Sequence, residues 1–406
     1  MDRIAEQYVK LVLRVGQHDA DYVDAYYGPS EWRPAKDAPK PPLDTLRAEA
    51  SAVLQALAAS ARPAGDEMLA LRHEFLARTT TAVEARIRML QGERFTFDEE
   101  SRLLYDAVAP SHPPSYFEAT LEELDAKLPG EGPLTARYER FKRDFIIPKE
   151  KLDTVFRAAI EACRSRTRAH VELPANERFT LEYVTDKPWS GYNWFQGNSA
   201  SLIQINTDLP IYIDRAVDLA CHEGYPGHHV YHMLMEEHLV RRRGWVEYSV
   251  YPLFAPQSLI AEGTANFGIE VAFPGEERIA FERERLFPLA GIDPKRADEY
   301  YGVMGLVERL SYAQNEAARG YLDGKMTRDE AIAWLEKYAL SERQRAEQRV
   351  RFIERYRAYV INYNLGKDLV RRHIEALGGT PDHPDKRWQE FAALLSSPRL
   401  PSGLRK

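Results

Sequence analysis

Two cysteines, Cys163 and Cys221, are too few in 406 residues for a disulfide framework or a four-thiolate zinc site. No apolar run approaches the roughly twenty residues that cross a bilayer. An excess of positive charge is missing too: 55 Lys and Arg stand against 62 Asp and Glu, a net charge of −7, so an extended phosphate-binding surface, and with it nucleic acid as a partner, is not expected. The opening stretch, MDRIAEQYVKLVLRVG, scatters charge through its apolar positions and has no uninterrupted apolar core followed by a small-residue cleavage site. Together these absences point to a reducing cytoplasm, away from membranes. No internal repeat and no low-complexity tract are present.

What is present is an ordinary globular composition, 44% hydrophobic and 29% charged, with room for a deep core. Helical periodicity dominates. Thr96 with Glu99, Thr327 with Glu330 and Ser341 with Gln344 have the spacing of a capping box, and the last of these opens a pattern running to Leu377, before Gly378 and Gly379. As one helix it would exceed about 50 Å. Turn-rich breaks at 28–43, 108–114 and 128–134 divide a helical region, 1–134, from the remainder, 135–406, as two units or as one continuous domain. One segment, SASLIQINTDLP, alternates as a short strand does, and the helical spacing that follows it, with Pro210 suited to the first turn, leads into the sequence ACHEGYPGHHVYH.

That sequence gathers four of the chain's eleven histidines, His222, His228, His229 and His232. Zinc takes imidazole and carboxylate ligands and, in a catalytic site, keeps one position open. His222 and Glu223 supply one ligand and one general base, as in His-Glu-x-x-His helices. On a straight helix His228 would fall about 240° away from His222, and His229 about 10 Å along the axis. Pro226 cannot donate to the carbonyl of His222, and Gly224 and Gly227 relax the backbone, so a bulge at GYPG brings His228 to the second ligand position, with His229 as the alternative. A third ligand, Glu262, lies early on a helix expected from Leu259 to Phe273, with the small residues Gly263 and Ala265 allowing close helix approach. Asp218, four residues before His222, reads either as a group that orients an imidazole or as a solvated carboxylate. His232 and His238 read as structural, and Cys221 as a small core residue.

HEGYPGHH, then AEGTANFGIE, then RYRAYVINYNLGKDL resemble in order and content the bacterial family catalogued as domain of unknown function 885, grouped with gluzincin-type zinc metallopeptidases. The resemblance covers roughly residues 175–400. It implies a mainly α fold like that of neurolysin-type and Taq-type carboxypeptidases, with a small sheet edging a deep cleft. It further implies a peptide or acyl-amino-acid substrate, Zn2+ on His222, His228 and Glu262, Glu223 as catalytic base, Tyr363 as oxyanion donor, and the strand SLIQIN as an edge for an extended peptide. Thr264 stands where the family usually has Trp, and the family's downstream Asp and His are not found in SYAQNEAARGYLDGKMTRDEA. Two other readings of the same residues are a non-haem iron enzyme, whose ligand set is also two histidines and a carboxylate, and a non-enzymatic helical protein with a degenerate metal site.

Overall fold

The computed structural model describes residues 1–63 and 65–404. It is mainly helical with a small sheet. In the first helix, Asp2–Val15, the apolar residues Ala5, Tyr8, Val9, Val12 and Val15 recur at three and four and are all buried. Buried residues from both the 1–134 and 135–406 regions join in one core that reaches from Ala5 to Leu404.

Capping boxes form at Thr96 and Thr327, where each threonine and its glutamate bond reciprocally. None forms at Ser341; the helix there begins at Arg343. Nor is there one long helix to Leu377. The Arg343–Tyr356 helix ends where Arg357 adopts φ 53°, a 3-10 turn follows over Arg357–Val360, and a second helix runs from Ile361 to Ala376. The break is held by the buried Glu100, whose carboxylate accepts from Arg357 Nε at 2.7 Å and Ala358 N at 3.1 Å. A distant acid thus satisfies the freed backbone, and nothing in the local periodicity signals it.

The strands are β1 (Val23–Tyr26), β2 (Arg178–Val184), β3 (Gly191–Gly197), β4 (Ala200–Asn206) and β5 (Val250–Pro252). β1 pairs antiparallel with β5, while the three-stranded sheet has the order β2-β4-β3, parallel between β2 and β4 and antiparallel between β3 and β4. SLIQIN therefore lies in the central strand, and its expected role as an edge for an extended peptide is corrected: both its sides are already paired. The edges are β2 and β3, and β3 borders the main cavity.

After β4 the helix begins at Asp214, not at Pro210. It continues into a π-helical turn, Ala220–Gly224, passes through Tyr225 and a cis Pro226, and restarts as the His228–Met235 helix. Cys221 in that turn is joined by a disulfide to Cys163 on the Leu152–Arg168 helix, with 5.7 Å between Cα atoms. Cys221 is buried, as expected of a core residue, but it is not free. Bonds of this kind persist in oxidising surroundings.

The Pro256–Ala272 helix packs against Ile361–Ala376 at backbone distance. A Cβ built on Gly366 would lie 2.7 Å from the carbonyl oxygen of Leu259 and 3.0 Å from Cα of Gly263, so neither glycine has room for a side chain. Gly263 is the small residue that permits this approach, and it follows Glu262 directly.

Candidate metal centre

The interruption at Tyr225–Gly227 decides where the histidines point. The Gly227 amide bonds back to the carbonyl of Cys221 at 2.9 Å, and a Cβ on Gly227 would run into the carbonyl oxygen of His222. The chain turns this tightly only with glycine there. The restarted helix then presents His228 to His222, with 3.1 Å between their Nε2 atoms. Glu262, from the neighbouring helix, places Oε2 3.2 Å from His222 Nε2 and 3.7 Å from His228 Nε2. One ligand atom from each of the three residues lies within 4.8 Å of the others.

These separations suit a shared ion. Two donors each about 2.1 Å from one tetrahedral centre stand about 3.4 Å apart, close to the three distances found. Glu262 is 6% exposed, yet its Oε2 has no hydrogen-bond donor, while Oε1 accepts from the Tyr359 hydroxyl at 2.7 Å. A buried carboxylate oxygen without a donor is costly unless a cation meets it. Burial pushes the Glu262 carboxyl up, but the facing imidazoles of His228 and His222 outweigh burial and hold it well below the usual carboxylate range. The donor set therefore fits a divalent metal ion of the zinc type.

His222 is oriented from behind. Its Nδ1 lies 3.2 Å from Asn266 Oδ1, and the Asn266 amide donates to the carbonyls of Glu262 at 3.1 Å and Tyr363 at 3.3 Å. Asp218, expected in this role, instead pairs with Arg215 at 3.0 Å and Arg278 at 2.8 Å. Asn266 stands four residues after Glu262, on the same helix face; that spacing was the available signal. His229 is fully buried and turned away, with Nδ1 2.8 Å from Ser201 Oγ and Nε2 3.4 Å from Glu177. His232 is buried among Phe195, Tyr251 and His228.

Glu223 lies beside the triad, under the edge strand β3. A Cβ on Gly191 would be 2.9 Å from Glu223 Oε1, and Asn193 Nδ2 donates to the Glu223 carbonyl at 2.7 Å. Burial pushes the Glu223 carboxyl up to about 7; the charge of His228 pulls the other way and that of Glu262 adds to the rise. A carboxyl held there exchanges a proton near neutral pH. Tyr363 lines the same cavity, its ring 5.8 Å from that of Tyr359. Burial, then the charge of Glu262, raises its phenol well above the ordinary value, so the hydroxyl remains a donor. Asp24, on β1, also lines the cavity and is bonded by the Tyr192 hydroxyl; burial raises it to about 6. Neither Asp24 nor Tyr359 was singled out from sequence, because β1 is far away along the chain and the turn that aims Tyr359 depends on Glu100.

His222, His228, Glu262, Glu223, Asn266, Asp24, Tyr359 and Tyr363 open on one cavity of about 880 Å³. It has the volume of a site for a small organic molecule or a short peptide. The matched pieces are a three-ligand cluster, an adjacent buried carboxyl and a protonated phenol, which together suit hydrolysis.

No family model matches the sequence, and no curated protein does. Among solved structures, the chain is similar to a candidate lipoprotein from Colwellia psychrerythraea, with 14% identity and a TM-score of 0.54 over 92% of this chain and 69% of that one. A candidate lipoprotein of unknown function from Shewanella oneidensis matches at 13% identity and a TM-score of 0.42, over 87% of this chain and 72% of that one. At such identity the likeness to the Colwellia protein is one of fold.

Proposed function

We propose that the protein is a zinc-dependent peptidase that hydrolyses small peptides or acyl-amino acids. The observation that carries this reading is the convergence of His222 Nε2, His228 Nε2 and Glu262 Oε2 within 4.8 Å, beside the buried carboxyl of Glu223. On this reading the scaffold is of the neurolysin and Taq-carboxypeptidase kind, and the chain is a relative of the gluzincin-like family that its HEGYPGHH and AEGTANFGIE segments resemble.

His222, His228 and Glu262 would hold the ion. When bound, it supplies Lewis acidity to the scissile carbonyl. Asn266 fixes the ring of His222, and Tyr359 fixes the carboxylate of Glu262, so the ligands are set before substrate arrives. Glu223 takes a proton from the attacking water and returns it to the leaving amine. The Tyr363 hydroxyl donates to the oxygen on which negative charge develops. Substrate would run along β3 where this edge strand lines the cavity, at Gly191–Asn193, and Gly191 leaves the backbone close to Glu223.

Elemental analysis together with Glu223→Ala assayed on a peptide library tests the assignment. The expected result is one zinc per chain in both proteins, with turnover reduced about 10²- to 10⁴-fold in the variant. A native protein without metal, stoichiometric iron with oxygen-dependent turnover, or full activity in the variant ends the reading.

A further inference from the structure

The cations around the cavity differ in one respect. Arg215 pairs with Asp218 at 3.0 Å, Arg278 with Asp218 and Glu282 at 2.8 Å each, and Lys367 with Glu270 and Glu308 at 2.9 Å each. Arg349 lines the same cavity, and among the described residues its guanidinium has no carboxylate in ion-pair range and no hydrogen-bond acceptor. Its close neighbour is the Phe352 ring, 5.1 Å from Cζ to centroid. One turn earlier, Arg345 also lacks a carboxylate; it donates to the Pro210 carbonyl at 3.1 Å and lies over Tyr212 at the rim.

Burial lowers the pKa of Arg349; Tyr363 opposes that shift in part, and the nearby Arg215 adds a smaller push in the same direction as burial. The charge is therefore uncompensated. The side chain is only partly buried, so the guanidinium is open to a partner entering the cavity.

Its position says what kind of partner. Arg349, Phe352 and Tyr356 follow one another on the cavity face of the Arg343–Tyr356 helix. Phe352 lies 6.2 Å from the Tyr363 ring, Tyr363 lies 5.8 Å from Tyr359, and the Tyr359 hydroxyl bonds Glu262. The cation thus shares one cavity with the ligand cluster, and the Phe352, Tyr363 and Tyr359 rings form the wall between them. A planar guanidinium is matched to a planar carboxylate, which it can grip with two parallel bonds.

We propose that Arg349, with Arg345 at the rim, receives the free terminal carboxylate of the substrate, so that the bond cleaved lies next to a C-terminal residue. This rests on the peptidase reading, and makes the protein a carboxypeptidase or an acyl-amino-acid hydrolase. The competing account is that Arg349 merely packs on Phe352.

The test compares benzoyl-Gly-Phe with its C-terminal amide. Calorimetric titration into zinc-loaded Glu223→Gln protein reads binding without turnover. The acid is expected to bind about 10- to 100-fold more tightly than the amide. In Glu223→Gln/Arg349→Gln the two should bind alike, and Arg349→Lys should restore part of the preference; circular dichroism checks that each variant is folded. Equal binding of acid and amide with Arg349 present, no binding of either, or a preference that survives Arg349→Gln overturns the proposal. Hydrolysis by the wild-type protein is scored separately: discrimination in binding with no cleavage of any peptide supports the carboxylate site and ends the peptidase reading alone.

Discussion

Gly191 and Glu223 are in contact across the edge of the sheet, with no space between the strand backbone and the carboxylate for even a methyl group. Gly191→Ala should therefore push Glu223 out of place and leave the three ligands alone. Misplacing a catalytic group by about 1 Å costs on the order of 100-fold. Steady-state assays should show kcat reduced by about that factor while zinc content stays at one per chain; a variant with wild-type kcat would show that Glu223 is not the base.

The ligand set separates from its neighbours by metal content. His222→Ala, His228→Ala and Glu262→Ala should each lose stoichiometric zinc. His229→Ala should keep it while losing roughly 1–3 kcal/mol of stability, because the change leaves the buried Ser201 hydroxyl without its partner, whereas Glu177 keeps Tyr225 and Arg164. Chelation should lower the melting temperature, since an ion at about 100 times its Kd contributes about 2.7 kcal/mol. Mass spectrometry under native conditions and thermal unfolding read these outcomes; zinc retained by His228→Ala and lost by His229→Ala would reverse the assignment.

Asn266→Ala removes the acceptor behind His222 without removing a ligand. Zinc affinity should fall about 10- to 100-fold, the usual cost of losing such a partner, and competition with a fluorescent chelator measures it. Asp218→Ala, whose carboxylate pairs with Arg215 and Arg278, should leave affinity unchanged.

The bond between Cys163 and Cys221 closes a sequence separation of 58 residues. The chain-entropy model assigns such a loop about 4 kcal/mol. Urea unfolding of Cys163→Ser/Cys221→Ser, or of reduced protein, should show a loss of that order, and intact mass after alkylation without reductant should show no free thiol. Two alkylated cysteines in freshly purified native protein would show that the bond is not formed there.

Much of this was legible because the relevant forces are local. The proline in GYPG had to break a helix between His222 and His228, Gly263 had to mean close packing, and the helix expected around Glu262 begins and ends within a few residues of Pro256–Ala272. What was hidden depends on contacts distant along the chain. Glu100 breaks the helix near Tyr359 from more than 250 positions away, β1 finds β5 across a similar span, and SLIQIN is central because β2 and β3 pair on either side; RFTLEYV in β2 alternates as a strand does, but its alternation does not say which strand it joins. Asp218 was drawn away from His222 by Arg278, a residue that no local pattern connects to it.

The touching backbones of Gly263 and Gly366 make two walls of the cavity into a single plate bearing Glu262, Asn266 and Tyr363. Protein engineers seeking new selectivity would find that plate intolerant of added bulk. The freer ground is at partly exposed positions such as Gln348 on the opposite face, where a side chain can be exchanged without prising two helices apart.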